Sequence, residues 1–141
     1  MSPLNNRFVG NPALLGTYSL RTSSVRKFRP LPQHDRAHDN AVVTWVAGEA
    51  AQRWFSITGP AMARYAKRVK ADLIVIEGYD GQWYPLANKF RAQQVLTQYK
   101  YERMLFVDAD ALIQDHCIDF FKAIPPDHVA MLTNLRCTTN G

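Results

Sequence analysis

The sequence is poor in the residues that build metal-stapled or disulfide-stapled folds. It has two cysteines, Cys117 and Cys137, and neither stands at zinc-site spacing from another Cys or His, the adjacent His116 apart. A free, partly buried thiol is therefore expected rather than a ligand or a nucleophile. The four histidines, His34, His38, His116 and His128, form no spaced ligand set, and none is assigned a role. No apolar run approaches the roughly 20 residues that a membrane-spanning helix needs. The first residues, MSPLNNRFVGNPALLG, lack a long apolar stretch behind a basic start, so they do not read as a signal peptide and a cytoplasmic location is the expectation. Internal repeats and low-complexity tracts are also missing.

What remains is an ordinary globular composition of 141 residues, 47% of them hydrophobic, enough for one domain with a real core. The net charge of +5 is unevenly spread. Residues 1–40 carry Arg7, Arg21, Arg26, Lys27, Arg29 and Arg36 against only Asp35 and Asp39, which accounts for four of the five net positive charges. A basic leader of this kind suits contact with an acidic membrane surface or a nucleic acid. A solvated leader is the simpler expectation, nucleic acid is not an expected partner, and a peripheral membrane contact stays open. The same stretch holds Pro3, Pro12, Pro30 and Pro32 with no sustained periodicity, so 1–40 is expected to be irregular and 41–141 to form the domain.

Short β-branched runs then alternate with helical periods. AVVTWVAG (41–48), DLIVIEG (72–78), RMLFVDAD (103–110) and VAMLTN (129–134) read as buried strands, the fourth near 129–133. Gly59-Pro60 reads as a helix start over 60–70, with Met62, Tyr65, Ala66 and Val69 inward, and the preceding 49–58 is ambiguous between helix and turn. Pro85 opens a second helix over 85–100, whose apolar side would carry Leu86, Phe90, Val95, Leu96 and Tyr99. A short helix over 116–123 is ended by Pro125-Pro126. The order β-α-β-α-β-(α)-β predicts an α/β fold with a mainly parallel sheet, whose ligands bind beyond the carboxyl ends of the strands. Such buried strands leave an uncovered edge, so a longer protein that continues the sheet is expected.

The third strand runs into Asp108-Ala109-Asp110. If the strand continued, the two carboxylates would share a face. Held close they repel, and a divalent cation such as Mg²⁺ or Mn²⁺ relieves that while keeping positions for substrate phosphates. A metal-bound diphosphate is the natural ligand; the plain alternative is a strand end dipping into solvent.

The stretch Lys89-Phe90 followed by Tyr101-Glu102-Arg103-Met104-Leu105-Phe106-Val107-Asp108-Ala109-Asp110-Ala111-Leu112-Ile113 resembles the GT-A (Rossmann-like) nucleotide-sugar glycosyltransferases, especially those similar to families 8 and 34. Phe120-Phe121 with Ile124-Pro125, and Tyr65-Ala66, fit the same pattern. The resemblance spans roughly residues 41–134. Glu102 departs from the usual Asp of its Tyr-Asp-Arg element, and the pattern's later His and acceptor-binding segments are not in this sequence. The resemblance implies Asp108 and Asp110 as metal ligands and catalytic-site residues, and a donor contact at Ala109. It further implies Lys89 reaching the diphosphate, and Thr44, Trp45 and Val46 beside the nucleotide base. Trp45 may equally be core, Lys89 an exposed helix residue, and Trp83 and Tyr84 either a ligand platform or a staple over the second helix. Arg91 and Arg103 are expected to be solvated or paired structural charges. The implied reaction is glycosyl transfer from a UDP-type sugar to a glycan, protein or lipid acceptor, with Mn²⁺ or Mg²⁺. Two other readings stay open: an Asp-x-Asp phosphatase, whose motif normally has Thr or Val where this chain has Leu112, and a non-catalytic nucleotide-binding fragment.

Overall fold

The computed structural model describes residues 28–131. Three parallel strands form one sheet in the order β2-β1-β3: β1 is Asn40–Val46, β2 Ala71–Glu77 and β3 Arg103–Phe106. In register, Val43 of β1 stands between Ile74 of β2 and Phe106 of β3. Alternation along β1 divides the core. Val42 packs with Tyr65, Ala66 and Val69 of helix α1 (Gly48–Arg68) on one face. Ala41 and Val43 pack with Ala92 and Val95 on the other. Ala92 ends a 3-10 helix, Pro85–Ala92, that runs on into helix α2, Gln93–Thr97. One crossover therefore covers each face, which is why β1 tolerates Ala41, Val42, Val43 and Thr44 without a water-facing side. Helix α3 is short, Phe120–Ala123, with Asp119 accepting from Phe121 N–H at 3.0 Å as its N-cap.

Several elements differ from expectation. Helix α1 does not start at Pro60; it begins at Gly48, whose φ of 81° suits glycine, and passes straight through Gly59-Pro60. An interior Pro removes a hydrogen bond and crowds the preceding turn, costing about 3 kcal/mol. Burial on both sides of it, Thr58 and Gly59 before and Ala61, Met62, Tyr65 and Ala66 after, offsets that cost. The 85–100 segment is not one α-helix. At three residues per turn its first part turns Asn88 and Arg91 inward and leaves Leu86 and Phe90 62% and 71% exposed, the reverse of a 3.6 period. Strand β3 stops at Phe106, before the two acids. Residues 129–131 carry no strand, and the rest of the fourth strand lies outside the described residues. Arg103 is the structural charge expected, donating to the carbonyls of Phe121 and Ile124 over the Phe121 ring. Cys117 is a free, half-buried thiol packed on the α1 side; Cys137 lies outside the described residues.

The described part of the leader is irregular but bound along the body. Leu31 is buried, and its backbone N–H and C=O both bond the Gln98 amide, at 2.8 and 2.7 Å. Phe28 stacks on Trp83 at 4.6 Å, so the leader covers one face of that indole. At the N-terminal strand ends, Asp72 accepts from the Tyr101 hydroxyl at 2.5 Å, from the His38 ring at 2.6 Å and from the Ala37 N–H at 2.8 Å. The Tyr101 proton being committed there, His34 Nε2–H donates to the Tyr101 oxygen at 2.7 Å. Burial alone would raise the Asp72 carboxyl, but the hydrogen bonds from Tyr101, His38 and the backbone outweigh it and bring it down to about 2. Burial first, and Asp72 second, push the Tyr101 hydroxyl up, so it keeps its proton.

A carboxyl lowered on folding stabilises the protein above its unfolded value near pH 4 and loses that contribution as pH falls towards 2. Wild type should therefore exceed Asp72→Asn by on the order of 2 kcal/mol at pH 6 in urea unfolding, with the gap closing by pH 2. A gap that stays constant across that range would show that the cluster does not clamp the leader through the carboxylate.

Candidate functional site

With β1 flanked by β2 on one edge and β3 on the other, the crossovers leave in opposite directions, which makes the carboxyl ends of β1 and β3 the switch point of the sheet. The chain after β3 passes over that point. Val107 still bonds β1, its N–H donating to the Val43 carbonyl at 2.8 Å, and packs on the α1 side. Extended alternation then sends Asp108 to the opposite face, that of the 3-10 helix. There the Lys89 ammonium donates to Asp108 Oδ1 at 2.7 Å. Lys89 thus meets the chain just past the end of β3, on Asp108.

The two acids do not share a strand face, because the strand does not continue. Asp108-Ala109-Asp110 instead forms a turn closed by the Ala111 N–H donating to the Asp108 carbonyl at 3.0 Å. Ala109 is buried at its centre, and Asp108 and Asp110 are both exposed. Among the described residues no group of three or more His, Cys, Asp or Glu side chains is placed to hold a metal. A cation here would take its protein oxygens from the Asp108–Asp110 pair, and its other positions from water or phosphate.

Helix α1 splints this turn. The Thr58 hydroxyl donates to the Ala109 carbonyl at 2.6 Å in a buried contact. Nearly two turns on, Arg64 pairs with Asp115 at 3.4 Å. The Tyr65 hydroxyl donates to the Ile118 carbonyl at 3.0 Å and accepts from Phe120 N–H at 3.1 Å. Arg68 donates to the Cys117 carbonyl at 2.5 Å. Sequence reasoning missed Thr58, because a lone Thr in an ambiguous segment carries no signal until the helix through Pro60 is known.

Lys89 has its own base. Asp80 is buried and its N–H donates to Asn88 Oδ1 at 2.6 Å, while the Asn88 amide reaches the Tyr84 carbonyl at 3.3 Å. The Asp80 carboxylate accepts from Arg29 N–H at 2.6 Å and Gln82 N–H at 3.1 Å. The Arg29 N–H above all holds this carboxyl below its ordinary value. The residue before Lys89 is thus fixed, and Arg91, two residues after it, is buried rather than solvated.

The three β1 positions expected beside a base divide. Thr44 is fully buried with an unpartnered hydroxyl, and Val46 is buried core. Trp45 packs on the core, donates its indole N–H to the Gly78 carbonyl at 2.9 Å and meets Tyr79 edge-on at 5.4 Å. None of the three has a described hydrogen bond to Asp108 or Asp110. Tyr79 and Tyr84 are exposed around the same sheet end. A surface hollow of about 410 Å³ lies at the opposite end, beside His34, His38, Lys67 and Asp72. Compared with known proteins, the chain matches no family model, no curated protein and no solved structure.

The splint is testable apart from any ligand. Thr58→Val keeps the β-branched shape and strands the buried Ala109 carbonyl, so unfolding in urea should show a loss of about 1–3 kcal/mol. Thr58→Ser should recover part of it. A valine variant as stable as wild type would mean that α1 does not hold the turn.

Proposed function

We propose that this chain carries the nucleotide-sugar-binding part of a metal-dependent glycosyltransferase of GT-A type, acting in the cytoplasm on a UDP-type donor. The observation that carries the reading is the 2.7 Å contact of Lys89 with Asp108 at the carboxyl end of β3, beside β1. Two helix-backed elements meet there to put one cation and two exposed carboxylates at the position where parallel α/β sheets bind ligands. The donor set fits a hard divalent cation: carboxylate oxygens, and a site where Asp108 already attracts positive charge.

In this reading Asp108 and Asp110 hold Mn²⁺ or Mg²⁺, which, when bound, stabilises the negative charge developing on the departing diphosphate. Asp110, on the outer side of the turn, is the more direct ligand. Asp108 shares the metal and faces the ribose. Lys89 supplies a compact cation to the diphosphate. Ala109, buried with its carbonyl fixed by Thr58, keeps the two carboxylates in one turn. Trp45, half-buried at the end of β1, lines the base side, with Thr44 and Val46 as its support. The acceptor is a glycan, protein or lipid.

Calorimetric titration of the 141-residue chain with UDP should give binding that requires Mn²⁺ or Mg²⁺. Asp110→Asn should weaken the metal-dependent affinity by about 10–100-fold while thermal stability without metal stays level or rises, since two close carboxylates repel. Equal UDP binding in excess chelator, or an unchanged ligand-induced melting shift in Asp110→Asn, would overturn the reading.

A further inference from the structure

We infer that Lys89 is a resident cation on Asp108 which metal displaces, and that the displaced ammonium makes nucleotide binding depend on metal binding. The inference rests on the reading above and adds regulation to it. Asp108 Oδ1 is already occupied by a three-donor ammonium at 2.7 Å. A divalent cation on either Asp108 oxygen would sit within a few ångströms of that ammonium, so like charges oppose joint occupation. Among the described residues, Lys89 is the cation paired with Asp108, and Asp110 has no ion pair.

The pair is built to exchange. Its side chains are 42% and 52% exposed, so water and salt screen it, and it should weaken a competing cation by only about two- to five-fold. The backbone beneath Lys89 is fixed: Pro85 starts the 3-10 helix, and Asn88 and Arg91 are buried on either side. Displacement therefore moves the flexible stem and leaves the helix in place, and the freed ammonium stays tethered within reach of the Asp108 turn. A diphosphate brought there has anionic oxygens to spare and is the natural new partner. Metal removes the competitor for Lys89 and nucleotide removes the competitor for metal. By linkage each tightens the other by the same factor.

The test uses the 141-residue chain as wild type, Lys89→Met and Lys89→Arg, with folding matched by circular dichroism melts. Free Mn²⁺ is counted by electron paramagnetic resonance with and without UDP, and UDP is titrated with and without Mn²⁺. Lys89→Met should bind Mn²⁺ alone about two- to five-fold more tightly, and the factor by which Mn²⁺ strengthens UDP binding should shrink by up to the same factor. Lys89→Arg should behave like wild type towards Mn²⁺ alone. If wild type binds Mn²⁺ but Lys89→Met changes neither its affinity nor the coupling, displacement is wrong and the glycosyltransferase reading stands. If Lys89→Met weakens UDP equally with and without Mn²⁺, the lysine is a simple phosphate contact and displacement is again wrong. If neither wild type nor variant binds Mn²⁺, the metal-site reading itself fails and the inference with it.

Discussion

Strand β1 has hydrogen-bonded neighbours on both edges and helical cover on both faces, and every other element takes its place from that constraint. A parallel neighbour cannot be reached by a tight turn, so each connection must cross a face. Helix α1 fills one and the 3-10 helix with α2 fills the other. Because β2 and β3 lie on opposite edges of β1, the two crossovers diverge at the carboxyl end of the sheet. The Asp108 turn is delivered to that gap, with α1 on one side of it and Lys89 on the other. The site is a consequence of strand order before any side chain is considered.

Fixing the turn then falls to groups that are themselves buried. Thr58 and Tyr65 lie on the inward side of α1 and spend their hydroxyls on carbonyls of the chain after β3. Burial pushes the Tyr65 hydroxyl up, so it remains a donor. Asn88 and Asp80 play the same part beneath Lys89. The leader closes the arrangement through the Arg29 N–H on Asp80 and the stacking of Phe28 on Trp83, so residues well before β1 help to hold the lysine helix.

The strands were legible because β-branched, apolar runs ended by glycine leave little else to form, and the predicted and observed limits agree within one residue for β1 and β2 at their start. The side of the sheet on which Lys89 lies was also legible, since a parallel sheet must bring the end of a strand and the opening of the preceding helix together, but its partner Asp108 was not: the sequence pointed Lys89 at a diphosphate. Pro60 misled because its local cost is real, and only tertiary burial of Ala61, Met62 and Tyr65, invisible in the chain, outweighs it. Leu86 and Phe90 misled because an apolar stripe was measured with a 3.6 period along a segment that winds at three. Past Phe106 the chain turns instead, and the Ala109 carbonyl of that turn is held by Thr58, 51 residues away, a contact that no local pattern encodes.

How the acids are used separates the Asp108 turn from the three carboxylates that serve the fold. Asp72 accepts from a tyrosine, a histidine ring and backbone N–H groups. Asp80 accepts from two backbone N–H groups, and Asp119 caps α3 in the same way. Each of these anions is spent on folding, because satisfied N–H groups are the return on its desolvation. Asp108 has one exposed, exchangeable ammonium, and Asp110 has no described hydrogen bond, yet the residue between them is buried and its carbonyl tied down. A backbone held this firmly does not need two unsatisfied carboxylates for its own stability, since a pair of close anions opposes folding slightly. Rigid support therefore lies beneath under-satisfied charge, and that combination is what the proposed metal site rests on.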